Sequence, residues 1–526
     1  MTIIINFFHN LQTDLKHLFK NYLIIKSMTH YSLSLRTIVS ILYLLFQLSL
    51  FSQSNESPKY EMRGLWVATV NNIDWPSKPG LSIFDQKKEA LAILDRAVSL
   101  HLNTIFFQVR SMADAFYESK REPWSAYLMG ESGQNPGYDP LAFWVMEAHA
   151  RGLDIHAWIN PFRASMSLTE PLALSHPLHQ YPNWFIIYGN KYLFDPGLPE
   201  CRQYIADIVS DIVSKYNIDG IHLDDYFYPY PLKGELFNDQ ESFEKYGKAY
   251  AFISLEEWRR SNVDATVALI HQTIKSINPN IVFGISPFGV WRNNNIDSLG
   301  SDTRAGITNY DNLYADVLKW MKEKQVDYII PQIYWDTNHP TANFIKIIKW
   351  WSDNNNGIPI YVGHSLYRVN KDPAPWNNPS QILDQIRLTR STINIGGSVF
   401  FSANHFNRNL LGVQDSLKKD LYKYFSLLKP INKEFEKSMP QTIQIVKRCK
   451  KLKWRSTVSD SLKRYIIYRI EENDSLISSK NIIAFTTDTK YQLTKSTTSK
   501  NCFYIVTSQN QNNTEQAISN KIKSKY

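Results

Sequence analysis

The chain has 526 residues, of which 43% are hydrophobic, and its formal net charge is +9. This length exceeds what one hydrophobic core usually organises, so we expect more than one domain. The charge does not indicate a nucleic-acid-binding protein, because residues 61–426 carry 34 basic and 39 acidic side chains, whereas residues 427–526 carry 19 and 8. An excess of basic residues confined to the C-terminal region favours attachment to an anionic polymer or, equally, a surface tuned for solubility.

Residues 1–57 are predicted to be an export segment. Residues 37–51 form an almost uninterrupted apolar run that follows Arg36 and precedes a polar stretch. This order is typical of a secretory signal, and the run is short for a membrane-spanning helix of roughly 20 residues. The leader before the run is unusually long, so the true start is predicted at Met28. We therefore expect an exported protein, periplasmic or extracellular, that meets a membrane only through this segment.

Residues 58–427 alternate apolar, strand-like runs with segments of helical periodicity, which is typical of a parallel α/β domain. The predicted strands are 63–70, 104–110, 154–159, 220–224, 281–286, 328–334, 359–363 and 397–402. Predicted helices include 85–101, 141–152, 200–216, 255–277, 313–325 and 382–392. Eight strands are the number that a closed (β/α)8 TIM barrel needs, and its functional loops follow the strands.

The C-terminal region has a different pattern. A linker is predicted at 428–440, followed at 441–526 by a small all-β sandwich that resembles a fibronectin type III module. Its predicted strands are 443–446, 452–454, 464–469, 481–485 and 502–507. Trp454 and Tyr468 are predicted core residues, because an isolated aromatic side chain in a sandwich usually packs.

The chain contains three cysteines, Cys201, Cys449 and Cys502. They are too few for a disulfide scaffold or a Cys-rich zinc site. Cys449 and Cys502 both fall in the C-terminal region, where pairing after export and two buried free thiols are the two alternatives.

The segment 219–229, DGIHLDDYFYP, reads as a strand with two carboxylates at its tip. Alternate side chains of a strand share a face, so Ile221 and Leu223 are predicted to contact the helices while His222 and Asp224 point into the barrel. Asp225 is predicted to lie at the rim.

Other predicted strands also carry polar residues near their ends, at the alternate positions whose side chains should point into the barrel. These residues are Gln108 and Arg110 on the second strand, His156, Trp158 and Asn160 on the third, and Gln332, Tyr334 and Asp336 on the sixth. Buried polar groups are costly unless they line a wet cleft, so their convergence predicts an active site.

The predicted chemistry is hydrolysis of a glycosidic bond. Most glycosidases need one protonated and one ionised carboxyl group, and Asp224, Asp225 and Asp336 are the candidates. Asp224 or Asp225 is predicted to be the nucleophile or base, and Asp336 the acid. Mutual repulsion and burial are expected to raise one pKa. The predicted substrate-binding residues are Arg110, Trp158, Asn160, Arg163, His222, Tyr228, Trp291, Gln332, Tyr334 and Trp335. Among them, Arg110, Asn160 and Arg163 are expected to orient hydroxyl groups or an anionic substituent.

A series of motifs in chain order resembles the bacterial glycosyl hydrolase-like family 10. They are EMRGLWV at 61–67, DWPS at 74–77, FQVR at 107–110, EPWS at 122–125, AWINPFR at 157–163, DPG at 195–197, the segment 219–229, GISPFG at 284–289 and PQIYWD at 331–336. The resemblance implies an exported TIM-barrel hydrolase that acts on glycans, and some relatives cut peptide-free peptidoglycan strands.

Two other barrel patterns do not match. Chitinase-like barrels carry their proton donor at the position of Tyr226, and family 10 xylanases carry a glutamate after the seventh strand, where residues 363–367 contain no carboxylate. An acid from the fourth strand that works with Asp336 is therefore the leading hypothesis.

Two alternatives to a glycosidase are considered. One is a non-catalytic protein that binds glycans in the barrel cleft. The other is a metal-dependent deacetylase with His156, His222, His364 and His405 as ligands, although these residues lack a compact ligand spacing. We predict no cofactor and no metal, and the expected partner is a polysaccharide, neutral or anionic. The sequence does not indicate an oligomeric state.

Overall fold

The computed structural model describes residues 57–247, 254–430, 443–448, 450–457, 462–472, 474, 477–495, 497–498 and 501–524. Nearly all of the predicted export segment, most of the predicted linker and Cys449 lie outside these residues. The export signal and the Cys449–Cys502 pairing therefore stay predictions. Among the described helices, none combines the length and the apolar character that crossing a membrane requires.

Eight parallel strands close into a barrel surrounded by helices, which confirms the predicted TIM barrel. Strands β4 and β5 form a separate hairpin, and the other eight pair in chain order until β10 closes on β1. In chain order the strands are β1 (Met62–Val67), β2 (Thr104–Arg110), β3 (Asp154–Ile159), β4 (Phe185–Tyr188), β5 (Lys191–Phe194), β6 (Gly220–Leu223), β7 (Val282–Ile285), β8 (Tyr328–Ile329), β9 (Ile360–Ser365) and β10 (Ile395–Phe401).

The helices pack their apolar faces on the outside of the barrel. In α1, for example, the Ser82 hydroxyl caps the helix by accepting the Asp85 N–H at 3.1 Å, and Ala90, Ile93 and Leu94 are buried. The helices are α1 (Ile83–Ser99), α2 (Ala126–Met129), α3 (Pro140–Ala150), α4 (Pro177–Gln180), α5 (Pro199–Lys215), α6 (Gln240–Ser242), α7 (Leu255–Ile277), α8 (Asn309–Asn312), α9 (Val317–Lys322), α10 (Phe344–Asp353), α11 (Ser380–Ser391), α12 (Ala403–Asn407) and α13 (Val413–Lys419).

Aromatic rings fill the barrel interior beneath the strand ends. The Tyr328 hydroxyl lies 2.8 Å from Nδ1 of His156 and 3.1 Å from Nδ1 of His222. Burial lowers the pKa of His156 to about 4 and the pKa of His222 well below its usual value. Room for these rings depends on glycine, since a Cβ at Gly284 would lie 2.0 Å from Tyr328 Cζ and one at Gly220 would lie 2.5 Å from His156 Nδ1. The rings form a tightly packed, neutral floor.

Two departures from the predicted strands affect the functional end of the barrel. The β4–β5 hairpin falls in the loop after β3, where no strands were predicted. Its second strand pairs with the segment just after β3 through a bridge between Leu193 and Arg163. Strand β8 covers only Tyr328–Ile329 of the predicted 328–334, with two further bridge pairs at Gln332, one to Phe288 and one to Gly363. The alternation of side chains along a regular strand therefore does not extend to Asp336.

The C-terminal region forms two antiparallel sheets. One has the order β11-β12-β15, and the other has the order β14-β13-β16-β17 with β18 paired to β16. The strands are β11 (Ile443–Arg448), β12 (Lys451–Ser456), β13 (Leu462–Glu471), β14 (Ile482–Thr486), β15 (Lys490–Gln492), β16 (Cys502–Asn510), β17 (Glu515–Ile518) and β18 (Ile522–Lys523). We call residues 443–524 the C-terminal module.

The larger sheet of this module is buried on both faces. Trp454 packs edge-on against Tyr465 inside the module, as predicted. Tyr468 does not belong to that core. It lies on the opposite face with Ile466 and Ile505, in a cluster that includes Leu427 at the end of the barrel domain. Successive strand residues point to opposite faces, so a sheet that contacts the barrel buries both.

The module covers the end of the barrel at which the strands begin. The Lys463 ammonium lies 2.6 Å from Asp154 Oδ2 and 2.7 Å from Asp219 Oδ1, at the starts of β3 and β6. Arg464 donates to the carbonyl oxygen of Gly152, and His149 Nε2 lies 2.9 Å from Asp219 Oδ2. Polar and apolar contacts together fix the module on this end.

Candidate active site

A cleft of about 460 Å³ opens at the other end of the barrel, where the strands finish. Active sites of TIM barrels lie at this end, because the loops after the strands meet there. The cleft is lined by Trp66, Val70, Asn71, Ile73, Gln108, Trp158, Asn160, Arg163, Met166, Lys191, Asp224, Asp225, Tyr226, Tyr230, Ser286, Gln332, Tyr334, Tyr367 and Phe401. Strands β1, β2, β3, β5 and β10 and the loops that follow the strands all contribute to this wall.

Asp224 is a buried carboxylate held by N–H donors. Its Oδ2 accepts hydrogen bonds from the Asn160 amide and from Trp158 Nε1, the latter at 3.2 Å. Its Oδ1 accepts the backbone N–H of Tyr226 at 3.3 Å. Three donors from two neighbouring strand ends therefore fix the position of this carboxylate.

A second layer of polar contacts orients Asn160. The Gln108 amide donates to Asn160 Oδ1 at 2.6 Å, while Gln108 Oε1 accepts the backbone N–H groups of Thr69 and Val70 at 2.8 and 2.9 Å. Because Gln108 uses its oxygen on the backbone, its amide nitrogen faces Asn160, which in turn directs its own nitrogen to Asp224. This chain of contacts sets the orientation of each amide.

Asp225 lies in the same wall. It is 3% exposed, and its Oδ2 accepts the hydroxyl hydrogen of Tyr230. The prediction that Asp225 is a rim group is therefore wrong. Strand β6 ends at Leu223, so the two-residue alternation stops before Asp225 and both carboxylates turn toward the cleft.

The environment of the cleft raises the pKa of both carboxyl groups. Burial and the neighbouring charge of Asp225 raise the pKa of Asp224 to about 7, although Arg163 opposes this. Burial also raises the pKa of Asp225, against the hydrogen bond from Tyr230. A carboxyl group whose pKa lies near 7 can give up and take back a proton near neutral pH, which an acid–base catalyst needs.

Cations form another part of the wall. Arg163 is 8% exposed, its guanidinium carbon lies 4.4 Å from the centre of the Tyr226 ring, and its Nη1 donates to the Ser111 carbonyl at 3.3 Å. Lys191, the first residue of β5, is half-buried, and burial followed by the charge of Arg163 lowers its pKa.

The structure brings seven of the predicted site residues into the cleft wall and leaves six outside it. The seven are Trp158, Asn160, Arg163, Asp224, Asp225, Gln332 and Tyr334. The six are Arg110, His222, Tyr228, Trp291, Trp335 and Asp336.

Arg110 is fully buried and forms a bidentate ion pair with Glu122, with distances of 2.6 and 2.7 Å. The register between β2 and β3 shifts between Gln108 and Arg110, so one extra residue interrupts the alternation at this point. Arg110 therefore supports the loop behind the cleft and does not reach a substrate there.

The predicted aromatic stacking residues are packing residues. Tyr228 is 1% exposed and packs edge-on against Phe237 and Tyr314. Trp291 is 4% exposed and stacks on another indole, and Trp335 packs edge-on against Phe288. His222 accepts Trp66 Nε1–H at 3.2 Å and belongs to the barrel floor.

Asp336 does not face the carboxylate pair. Its Oδ1 accepts the backbone N–H of Asn338 at 2.9 Å, and its backbone oxygen accepts the N–H of Phe344 at 3.1 Å. An Asp that accepts the N–H two residues later stabilises a turn. The structure thus uses Asp336 to shape the loop before α10, and the predicted acid is not in the cleft.

Most of the barrel domain matches a known protein family. The family model described as Glycosyl hydrolase-like 10 matches residues 61–379. The chain belongs to this family.

Two relatives agree with this membership. Glycosyl hydrolase YngK of Bacillus subtilis (strain 168) is 45% identical over 393 residues, which make up 74% of this chain and 77% of that protein. Glycosyl hydrolase DigH of Escherichia coli (strain K12) is 39% identical over 373 residues, or 66% of this chain and 84% of that protein. Family and relatives together support a glycoside hydrolase type of function.

Among solved structures, the glycoside hydrolase domain of PgaB (BpsB) from Bordetella bronchiseptica matches with a TM-score of 0.46 at 10% identity. The match covers 68% of this chain and 99% of that domain. This degree of similarity supports no conclusion about the chemistry.

The glycosyl hydrolase-like cleft includes residues that the sequence did not single out as substrate-binding. Tyr230 and Lys191 are the most important. The Tyr230 hydroxyl donates a hydrogen bond to the catalytic candidate Asp225, and Lys191 adds a positive charge to the cleft wall. The others include Trp66, Tyr226, Tyr367 and Phe401. Tyr226 and Tyr230 belong to the aromatic-rich segment 226–230 that follows the Asp pair, so aromatic residues after paired acids were an available signal.

Metal-ligand geometry is not found among the described residues. No group of three or more His, Cys, Asp or Glu side chains suited to a metal ion occurs in that part of the chain. The histidines proposed for a deacetylase have other contacts, since His364 Nδ1 lies 3.0 Å from Gln385 Oε1 and its Nε2 lies 3.0 Å from Ser398 Oγ.

Proposed function

We propose that the chain is an exported glycoside hydrolase that cleaves a 2-acetamido glycan of the bacterial cell wall, with Asp224 and Asp225 as its catalytic residues. Family membership supports the reaction class, and the charged N-terminal leader with its apolar run supports export. The observation that carries the mechanism is a pair of adjacent, buried carboxylates in one wall of the cleft.

Among the residues that the structure describes, no second carboxylate lines the cleft opposite the Asp224–Asp225 pair. Asp224 and Asp225 are the only carboxylates among the described residues that line the cleft, and residues 248–253 contain no Asp or Glu. Standard mechanisms place their two carboxyl groups about 5 to 9.5 Å apart on opposite sides of the scissile bond. Asp224 and Asp225 lie in one wall of the cleft, so in our proposal the substrate supplies the nucleophile.

The acetamido group of the substrate is that nucleophile in our proposal. Its carbonyl oxygen attacks the anomeric carbon while the glycosidic bond breaks and Asp224 gives its proton to the departing oxygen. The Asp225 carboxylate accepts the acetamido N–H and stabilises the positive charge of the oxazolinium ion. Water then attacks the anomeric carbon, the bond between this carbon and the acetamido oxygen breaks, and the attacking water gives a proton to Asp224, which restores the enzyme.

The roles are tested with Asp224→Asn, Asp225→Asn and Asp336→Asn on peptide-free peptidoglycan strands, with new reducing ends and product masses as the readout. We expect kcat to fall about 10²- to 10⁴-fold for the first two variants, the usual range for loss of an acid–base group. Asp336→Asn is the matched control and should keep wild-type turnover. Normal turnover in Asp224→Asn would refute the assignment, and binding without new reducing ends would favour a glycan-binding protein.

The source of the nucleophile is tested separately with substrates whose acetamido methyl group carries one, two or three fluorine atoms. Fluorine withdraws electron density from the carbonyl oxygen, so the rate of the first step should fall with each added atom. A rate that does not depend on fluorination would contradict participation of the acetamido group.

A further inference from the structure

Two cations lie in one part of the cleft wall. The main chain of Arg163–Ser165 runs beside β5, with a bridge between Arg163 and Leu193 and a hydrogen bond of 3.0 Å from Ala164 N to the Tyr192 carbonyl. The Ser165 hydroxyl accepts the Tyr192 N–H at 3.0 Å. This pairing holds the start of β5, with Lys191, against the segment that carries Arg163, and both side chains line the cleft.

Neither cation has a carboxylate within 4.0 Å in the parts of the chain that the structure describes. The contrast with other buried arginines is direct, because Arg110 is matched by Glu122 and Arg259 by Asp239, each at 2.6 Å. Arg163 makes one hydrogen bond, to a backbone carbonyl, and stacks on Tyr226. A buried charge without a partner is costly, and a like charge beside it adds to the cost.

The carboxylate pair offsets only part of this charge. Arg163 lowers the pKa values of both Asp224 and Asp225, so it interacts with the pair at longer range. When the pair holds one proton it carries one negative charge, whereas Arg163 and Lys191 together carry two positive charges. In that state the cleft wall has an excess of one positive charge. An anionic group on a bound ligand would balance it.

We propose that Arg163 and Lys191 form a subsite for a carboxylate group carried by a sugar residue next to the scissile bond. The proposal rests on the proposed function and adds the substituent that the cleft selects. The planar guanidinium and the compact ammonium can donate to the same carboxylate from two sides. The class of ligand is a glycan with a free carboxylate, either as a uronic acid or on an ether-linked acid substituent.

Binding measurements on the full chain test the subsite without turnover. In an Asp224→Asn background, calorimetry compares four soluble oligosaccharides: one with uronic acid residues, one with ether-linked carboxylates on amino sugars, and each of these after reduction of its carboxyl groups to alcohols. We expect one of the acidic ligands to bind about tenfold more tightly than its reduced form, the scale of a charge-assisted contact. The arm that shows the difference identifies the source of the carboxylate.

Lys191→Met and Arg163→Gln, each in that background, should remove this preference, and Lys191→Arg should keep it. Lys349→Met is the matched control for charge, because Lys349 lies on the outer face of α10 with its side chain 74% exposed. The proposal is overturned if neither acidic ligand is preferred, or if the preference persists in both Lys191→Met and Arg163→Gln. Binding does not need hydrolysis. If the wild type prefers an acidic ligand but cleaves no glycan, the subsite is supported and only the proposed reaction is refuted.

Discussion

Buried carboxylates occur at both ends of strand β6, and their environments are opposite. At the start of the strand, burial would raise the pKa of Asp219, but Lys463 and His149 outweigh it and lower the pKa below the usual range. At the end of the strand, burial and Asp225 raise the pKa of Asp224 to about 7. The same residue type is thus stabilised as an anion at one end and held near its titration point at the other.

One end of the barrel therefore serves stability, and the other serves chemistry. At the module-facing end, each acid has a cation supplied partly by another region of the chain, Lys463 in β13. At the cleft end, the charge of Asp225 raises the pKa of Asp224, and one cation, Arg163, lowers the pKa of both acids. Active sites commonly keep such unfavourable electrostatics because catalysis requires shifted pKa values.

The largest expected effect is on the stability of the module-facing end. Lys463→Met leaves Asp154 and Asp219 buried without their main cation, so the free energy of unfolding should fall by about 3–5 kcal/mol. Urea denaturation monitored by tryptophan fluorescence measures this change. The control Lys349→Met should stay within about 0.5 kcal/mol of wild type, as surface changes usually do. A similarly small change for Lys463→Met would mean that the ion network does not stabilise the fold.

The next effect concerns the pH dependence of stability, which should differ in sign between the two ends. In the unfolded chain an Asp titrates at about pH 4, whereas folded Asp224 titrates at about 7. Between these values only the folded state holds the proton, so stability falls as the pH rises. From pH 4 to pH 7, the free energy of unfolding of the wild type should fall by about 2–4 kcal/mol relative to that of Asp224→Asn.

Asp219→Asn provides the opposite comparison. Because the folded pKa of Asp219 is lowered, its contribution to stability is present above about pH 4 and is lost as the pH falls below that value. Parallel urea titrations from pH 3 to pH 8 measure both differences. Differences of the same sign for the two variants would contradict the contrast between the ends.

The smallest effect is a gain in stability from a change that damages catalysis. Asp225→Asn removes the repulsion within the pair, and the free energy of unfolding at pH 7 should rise by about 0.5–1 kcal/mol. Differential scanning calorimetry at fixed pH, together with turnover on the same sample, checks this. A stability loss together with normal turnover would show that Asp225 acts as a structural residue.

Local patterns allowed most of the barrel to be predicted. Strands 104–110 and 154–159 and the helix 255–277 agree with the structure residue for residue. The parity of β6 placed Asp224 inward because alternation depends only on neighbouring residues. The predicted roles of the cleft residues stay predictions, since placement in a wall does not establish a role.

The errors occurred where regular structure ends. Asp225 lies two residues beyond the last residue of β6, Arg110 follows a register shift, and Asp336 lies seven residues beyond β8. Lys191 was missed because its place in the cleft depends on the pairing of the β4–β5 hairpin with the backbone at Arg163. The pattern of apolar and polar residues along a single segment does not predict such a contact.

The position of the C-terminal module has a geometric consequence for how the protein would act near a surface. The module, which belongs to the strongly basic region, covers the start of the barrel strands, and the cleft opens at their other end. An anionic layer that attracted this basic region would hold the molecule with its cleft directed outward. A protein held in this way would process chains that arrive from the surroundings and leave intact the layer on which it rests.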